Sequence, residues 1–373
     1  MSPGQIFEQK QIGQRIADAR VEAGRTQADL AATLGLDRTA LAKIEAGARK
    51  VSAVELAGIA SELQRPLDWF LVESPQPVVS RRADAAVGHR SMHLDRAVDK
   101  AARDVEFLVG QGFLNPAVSD LQLPTPRSVS EAERAADRVR SSLGQGTEPL
   151  VQLADIAERL GLVCFSLPLG ESSGDGAYVS LGDFGVAVIN GDTDPGRRRF
   201  TLAHEIGHHV FADEYSTDLS LAENGDETER RVNEFASHLL LPRESVTRRW
   251  QAGAGEPREK AVRLGVEYRV SWSALCSQLK SLGLVTDAER RALLAHPPTR
   301  ADFIELGMAV VEELHPPSAS PRYAQAVLRA YRGGKLGANR TVDLLWGSVA
   351  KEELPQLDAL PVEALRREFD PLP

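Results

Sequence analysis

The chain has 373 residues, 42% hydrophobic and 26% charged, a composition of two or three folded soluble domains and not of a disordered or fibrous chain. No apolar run approaches the roughly 20 residues of a membrane span. The N-terminal Met1-Ser-Pro-Gly-Gln5 has no basic stretch leading into an apolar core, and Cys164 and Cys276 stand too far apart for a cysteine metal motif or a disulfide framework, so a cytoplasmic protein with no membrane contact is expected. The net charge of −9 does not exclude nucleic acid, because up to about residue 72 the basic side chains roughly balance the acids.

The pattern predicts a mainly α chain with a small β-sheet (α+β) in four blocks. These are an all-α block at 1–72, a linker with a connecting helix at 73–127, a mixed block at 128–285 and a helical region without assigned role at 286–373. In the first block, residues 11–71 read as five short helices. Ile12, Ile16 and Ala19 form the first apolar stripe. Thr26 with Asp29 makes a capping box for the second helix, Gly35 allows a tight turn, and Asp37 caps a third helix that buries Leu41 and Ile44. Ser52 with Glu55 caps the fourth, and Pro66 to Leu71 closes the core with a final turn.

A helix, a glycine-containing turn and a second short helix are the ingredients of a helix-turn-helix. The third helix would then enter the major groove with Arg38, Thr39 and Lys43 on its outer face. Gln27, Arg49 and Lys50 would meet the phosphate backbone. The same pattern also suits a small helical bundle with a solvated charged face. The string Thr26-Gln-Ala-Asp-Leu-Ala31, followed by Leu36-Asp-Arg-Thr-Ala-Leu-Ala-Lys-Ile-Glu-Ala-Gly47, resembles the XRE (phage-repressor-like) helix-turn-helix family. The resemblance implies sequence-specific binding to a double-stranded DNA operator, usually as a homodimer, with Glu45 in a structural role.

The run Glu73-Ser-Pro-Gln-Pro-Val-Val-Ser80 marks a break. Beyond it Leu94, Ala97, Val98, Ala101, Val105 and Leu108 share a helical face, read as a connecting helix, a dimer seam or a helix packed within the chain. A second break at Pro124 and Pro126 precedes the capping box Ser128-Val-Ser-Glu131 and a helix to about Leu143. Pro149 is expected to start the next helix, which stops at Gly161. Strand-like runs follow at 162–167, 177–181 and 184–189, the last two joined by a hairpin turn at Gly182-Asp183. The chain is then helical from Arg197 to about Leu284, and the tail is helix-like with frequent prolines.

Within Arg199-Phe-Thr-Leu-Ala-His-Glu-Ile-Gly-His-His209, His204 and His208 are one helical turn apart and can share a metal. Glu205, offset around the helix, can reach a water without being a ligand, the arrangement of a metallopeptidase with the glutamate as general base. The alternative is an amphipathic helix with surface histidines, so a third donor is required. In the helix that follows, Val232, Phe235, Ala236, Leu239 and Leu240 form a buried stripe that reaches Glu229 one turn earlier, whereas Glu227 and Glu234 point away. A carboxylate on a core-facing stripe is costly unless paired or bound to metal, which makes Glu229 the expected third ligand. His238 is placed on the polar side as a surface or supporting residue, His209 faces away from the pair, and Arg197, Arg198 and Arg199 read as salt-bridging or surface residues. Tyr178 and Tyr215 are the candidates for stabilising a tetrahedral intermediate, while His89, His93, His296 and His315 read as solvated loop residues.

The run Arg199 to His208, with Glu229-Arg-Arg-Val-Asn-Glu-Phe-Ala236, Leu239-Leu-Leu-Pro242 and the preceding hairpin with Val188-Ile-Asn190, resembles the ImmA/IrrE metallopeptidases over about residues 128–285. This implies a gluzincin-like site: His204, His208 and Glu229 holding Zn2+ (Mn2+ or another divalent metal being alternatives), with Glu205 as general base. Val232 stands where alanine is usual, and Ala212 where many members carry a later histidine. Such proteins cleave helix-turn-helix repressors, often in response to DNA damage or in control of mobile elements. The chain is therefore expected to be a DNA-binding regulator with a zinc endopeptidase, active or latent. Its substrate would be a repressor or antitoxin-like protein, with another copy of this chain, cut near 73–93, among the candidates. The competing reading is a non-proteolytic repressor or antitoxin whose metal domain is a sensor or partner-docking module.

Overall fold

The computed structural model describes residues 8–63, 67–71, 92–119, 121–170, 172–211, 222–309 and 311–357. The break at 73–80, most of the proposed self-cleavage stretch, His89 and Tyr215 lie outside them. The chain divides into two compact units, residues 1–76 and 77–373. No helix among the described residues is long and apolar enough to cross a membrane.

The first unit is all helical: α1 (Gln9–Glu22), α2 (Gln27–Thr33), α3 (Arg38–Glu45), α4 (Ala53–Glu62) and a 3-10 turn at Leu67–Phe70. Thr26 and Ser52 form the expected capping boxes with Asp29 and Glu55. Asp37 occupies the extended cap position of α3, but its side chain makes no capping hydrogen bond. After α2, Gly35 takes φ +66° and the Leu36 N–H returns to the Ala31 carbonyl at 2.9 Å, the left-handed helix ending that glycine permits. Ile16, Leu30, Leu41, Ile44, Ile59 and Phe70 fill the core.

The second unit is built on a four-stranded mixed sheet. Three helices precede it, α5 (Met92–Gly110), α6 (Val129–Ser142) and α7 (Leu153–Arg159), and the strands are β1 (Leu162–Leu167), β2 (Gly176–Ser180), β3 (Gly185–Asn190) and a two-residue β4 (Ser318–Ala319). The order is β2-β3-β1-β4, with β1 parallel to β3 and both outer strands antiparallel to their neighbours. Side chains alternate between two cores: Cys164, Tyr178, Ala187 and Ile189 on one face, Phe165, Val179, Val186 and Val188 on the other. Burial on both faces is why β1 and β3 read as continuous apolar runs.

The first face packs on α8 (Pro195–Val210), which packs in turn on α9 (Ala222–Leu240). Further helices follow at α10 (Arg243–Ala252), α11 (Pro257–Tyr268), α12 (Trp272–Ser281), α13 (Asp287–Ala295) and α14 (Arg300–Glu305). The second face is covered by α5, by α15 (Pro321–Arg332) and by α16 (Ala338–Leu344). The apolar stripe of α5 is packed within the chain, with Val98, Ala101, Val105 and Leu108 fully buried.

Two departures from the sequence expectations have long-range causes. The helix expected at Pro149 begins at Leu153, because Gln152 turns to φ +54° and the N–H groups of Gln152 and Leu153 both donate to the Glu313 carboxylate at 3.1 Å. That carboxylate also pairs with Arg199 and Arg269. Of the two expectations for Arg198 and Arg199 the salt-bridging one holds, with Glu312 and Glu313 as partners, but from buried positions: Arg198 donates to the Leu314 carbonyl at 2.8 Å, and Arg199 to that of Leu150 at 2.8 Å. The strand β4, unforeseen because it is only two residues long, pairs with β1 just beyond this junction.

Candidate metal centre and DNA-reading surface

Helix α8 begins at the Asp194 cap, whose carboxylate accepts the Arg197 N–H at 3.0 Å, with Pro195 in the first turn. Ten to fourteen residues on, His204 and His208 emerge on one face and are 0% and 1% exposed. Their Nε2 atoms lie 3.0 Å apart. From α9, Glu229 brings its two carboxylate oxygens to 3.2 Å from His204 Nε2 and 3.4 Å from His208 Nε2.

Among the described residues this is the group of three His, Cys, Asp or Glu side chains compact enough to hold a metal ion. Glu229 comes this close because Gly207 lets the helices meet: a Cβ there would fall 2.8 Å from Val232 Cγ1 and 2.9 Å from Phe235 Cδ1.

The donor set fits a divalent cation. Ligands across a tetrahedral centre with bonds of ~2.0–2.1 Å lie roughly 3.3 Å apart, close to the three spacings found here. At 3.0 Å only one of the two facing ring nitrogens can carry a proton, so at least one lone pair points into the cluster. His204 Nδ1 is buried without a hydrogen-bond partner among the described residues. Burial pushes the Glu229 carboxyl up, but hydrogen bonds and charge from His204 and His208 outweigh it and hold it at about 2. The carboxylate is therefore ionised, as a ligand must be.

Glu205, on the same helix, is fully buried. Its carboxylate lies over the start of β2, where a Cβ at Gly176 would come 3.0 Å from Glu205 Oε1 and 2.5 Å from Thr201 Cγ2. Asp175, next to that glycine, pairs with Arg197 of α8 at 2.9 Å, and Asn190 ties down the preceding loop through the Gly170 and Ser173 carbonyls.

Other sequence candidates take different places. Tyr178 is 3% exposed and its hydroxyl is engaged with His209 Nδ1 at 3.1 Å. Burial first, with the Glu205 charge adding and Ser180 opposing, pushes that hydroxyl up to about 12. His238 is not a surface residue: it is 2% exposed and its Nδ1 meets Gln278 Nε2 at 3.2 Å, a partner 40 positions away. His93 lies exposed on α5, and His296 and His315 are exposed.

In the first unit Arg38, Thr39 and Lys43 are exposed on α3 and Lys50 is exposed beyond it. Gln27 and Arg49 are half-buried and already engaged. Gln27 Nε2 donates to Glu45 at 2.7 Å, and Arg49 pairs with Glu55 at 2.7 Å. Glu45 is 8% exposed and also accepts two hydrogen bonds from Arg20, at 2.7 and 3.0 Å, so its place is inside the fold.

Residues 157–280 match the family model of the IrrE N-terminal-like domain, and residues 16–70 match that of a helix-turn-helix. The radiation response metalloprotease IrrE of Deinococcus deserti is 31% identical over 134 residues, 33% of this chain and 44% of that protein; the match thus spans under half the relative's length. Among solved structures, a Mycobacterium tuberculosis transcriptional regulator is 23% identical over 40% of this chain and 46% of its own, with a TM-score of 0.33. Bacillus thuringiensis PlcR in complex with the peptide PapR7 and DNA is 11% identical over 90% of this chain and 91% of its own, with a TM-score of 0.18.

Proposed function

We propose that this chain, an XRE-like helix-turn-helix joined to an IrrE/ImmA-type peptidase domain, is a DNA-binding regulator that hydrolyses a peptide bond of a repressor or antitoxin-like protein. The observation that carries the reading is the convergence of His204, His208 and Glu229 within 3.4 Å of one another, with a buried carboxylate, Glu205, between the two histidines on the same helix. Zinc or another divalent cation held by those three side chains would supply Lewis acidity toward water and a scissile carbonyl.

The remaining work falls to the protein. Glu205 accepts a proton from the attacking water as the new carbon–oxygen bond forms, then returns it to the departing amine as the carbon–nitrogen bond breaks. Gly176 leaves space for that carboxylate. The outer edge of β2, which pairs with β3 alone among the described residues, offers backbone groups to an extended substrate segment. A segment already folded as a packed helix cannot pair in this way, which favours an extended stretch of the target. In the other unit, Arg38, Thr39 and Lys43 would read bases, and Gln27, Arg49 and Lys50 would contact phosphates.

The test is to co-express the chain with any repressor or antitoxin encoded beside it, sequence any fragments, and repeat with Glu205→Gln. The expected result is about one metal ion per chain in both proteins, with cleavage slowed at least ~100-fold in the variant. Equal cleavage by Glu205→Gln, or a wild-type protein that takes up no zinc or manganese, would overturn the proposal. Unaltered repression and partner binding by the variant, with no cleavage by either protein, would favour a non-proteolytic docking role.

A further inference from the structure

We infer that His209, held by Tyr178 and the Leu160 carbonyl, is a positioning residue that fixes the last turn of α8 and with it the metal-facing imidazole of His208. The inference rests on the metal-site reading above. His208 lies only three residues before Phe211, the C-cap of α8. Terminal turns have too few intrahelical bonds to hold themselves and tend to fray. A ligand placed there needs anchoring from outside the helix.

The anchoring can be assigned atom by atom. His209 Nε2 is 2.9 Å from the Leu160 carbonyl oxygen, which can only accept, so Nε2 carries the proton. In the neutral ring Nδ1 is then the lone-pair nitrogen, and the Tyr178 hydroxyl, 3.1 Å away, donates to it. One imidazole thus joins the end of α8 to β2 at one ring nitrogen and to the turn between α7 and β1 at the other. From another direction the Leu123 N–H donates to the Val210 carbonyl at 2.8 Å.

The slot is shaped for this pair. The two rings meet edge to face at 5.7 Å and 67°, and a Cβ at Gly185 would fall 2.5 Å from Tyr178 Cε2 and 2.9 Å from His209 Nδ1. Tyr178 therefore serves the helix end and not a substrate carbonyl.

A residue that merely fills the core and one that positions a ligand differ in what their loss changes. The full-length protein, stripped of metal, would be compared with Tyr178→Phe, which keeps the ring and removes the donor, and His209→Gln, which keeps a donor toward Leu160 and leaves no acceptor at the Nδ1 position. Zinc affinity would be measured by competition with a chromophoric chelator, and urea unfolding of the metal-free proteins would report folding. Partners that orient ligands typically set metal affinity by 10–100-fold, so roughly a tenfold or larger loss of zinc affinity is expected in whichever of the two variants is folded.

His209→Asn, which places an acceptor near the Nδ1 position, is expected to recover part of the loss seen with His209→Gln. Zinc affinity within twofold of wild type in folded Tyr178→Phe or His209→Gln would overturn the inference. A wild-type protein without zinc affinity would instead overturn the metal-site reading beneath it, whereas loss of binding in His208→Ala, with wild-type binding intact, upholds that reading whatever His209 does.

Discussion

Arg38, Thr39 and Lys43 stand exposed on α3 and make no side-chain hydrogen bond among the described residues, so their unit would fold in the same way without them. His204, Glu205 and His208 lie on α8 with 1% exposure or less, and the helix carrying Glu229 can approach only because residue 207 has no side chain. The contrast separates two kinds of evidence. An exposed basic face costs the fold nothing and so leaves no mark on its packing. A cluster of two buried imidazoles, one buried carboxylate and one half-buried one is expensive to maintain, and the surrounding structure has to be shaped around it. Perturbing the α8 cluster should therefore disturb stability and metal binding together, whereas perturbing the exposed side chains of α3 should change DNA affinity alone.

The largest effect is expected at Glu313, which lies far along the chain from His204, His208 and Glu229 yet closes the N-terminal half of α8. Its carboxylate receives the Gln152 and Leu153 N–H groups and pairs with Arg199, which is 1% exposed, and with Arg269. Replacing it with alanine strands a buried guanidinium, a loss of about 3–5 kcal/mol in unfolding free energy, measurable by urea denaturation. Burial raises this carboxyl, but Arg199, the two backbone donors and Arg269 together leave it below the usual carboxylate range. A depressed native pKa gives stability that is present above the unfolded-state value near 4.3 and is lost as pH falls through the native one. Wild type should therefore weaken on acidification below about pH 4.3, and Glu313→Gln should weaken less steeply there. An unfolding free energy unchanged in Glu313→Ala would break the link between the C-terminal segment and α8.

At the contact of α8 with α9, Gly207→Ala should cost about 1–3 kcal/mol by overpacking, because its Cβ would lie 2.8 Å from Val232 Cγ1 and 2.9 Å from Phe235 Cδ1. The distinguishing outcome is coupled: zinc affinity should fall as well, since Glu229 moves with α9. Adding Val232→Ala opens space on one side and should restore part of both losses. If stability falls while zinc affinity holds, the close approach serves packing only.

What could be read from the sequence follows the reach of the interactions. The His204/His208 pair needs only the helical period, and Glu229 needs only the stripe from Val232 to Leu240 continued one turn back, so the three donors were legible. The capping boxes at Thr26 and Ser52 are equally local. Hidden from such a reading were the features whose partners lie far along the chain. Leu153 starts α7 because of Glu313, Arg198 and Arg199 are buried by the 312–314 segment, and His238 is buried against Gln278. β1 and β3 read only as strand-like runs, and nothing local showed that both faces are buried or that α5 and α15, from opposite ends of the unit, cover one of them. His209 was expected to face away from the His204/His208 pair, but the partners it meets instead, Tyr178 and Leu160, lie 31 and 49 positions earlier.

On the DNA-reading side the expected effects are smaller and leave the fold untouched. We propose that Arg38 contacts a base edge; Arg38→Ala should then weaken operator binding by about 1–3 kcal/mol and relax selectivity at one base position, read by competition against operators varied one base at a time. Arg49 should behave differently, because its guanidinium is shared with Glu55 at 2.7 Å. As a phosphate contact it would lower affinity to a similar degree for all sequences and reduce the dependence of log affinity on log salt by about one unit. Glu55→Gln, by releasing Arg49 from its partner, should leave that salt slope unchanged or steeper. A sequence-selective loss in Arg49→Ala, or a uniform loss in Arg38→Ala, would exchange the two roles, and urea unfolding of Arg38→Ala should stay within about 0.5 kcal/mol of wild type, as for an exposed residue the fold does not use.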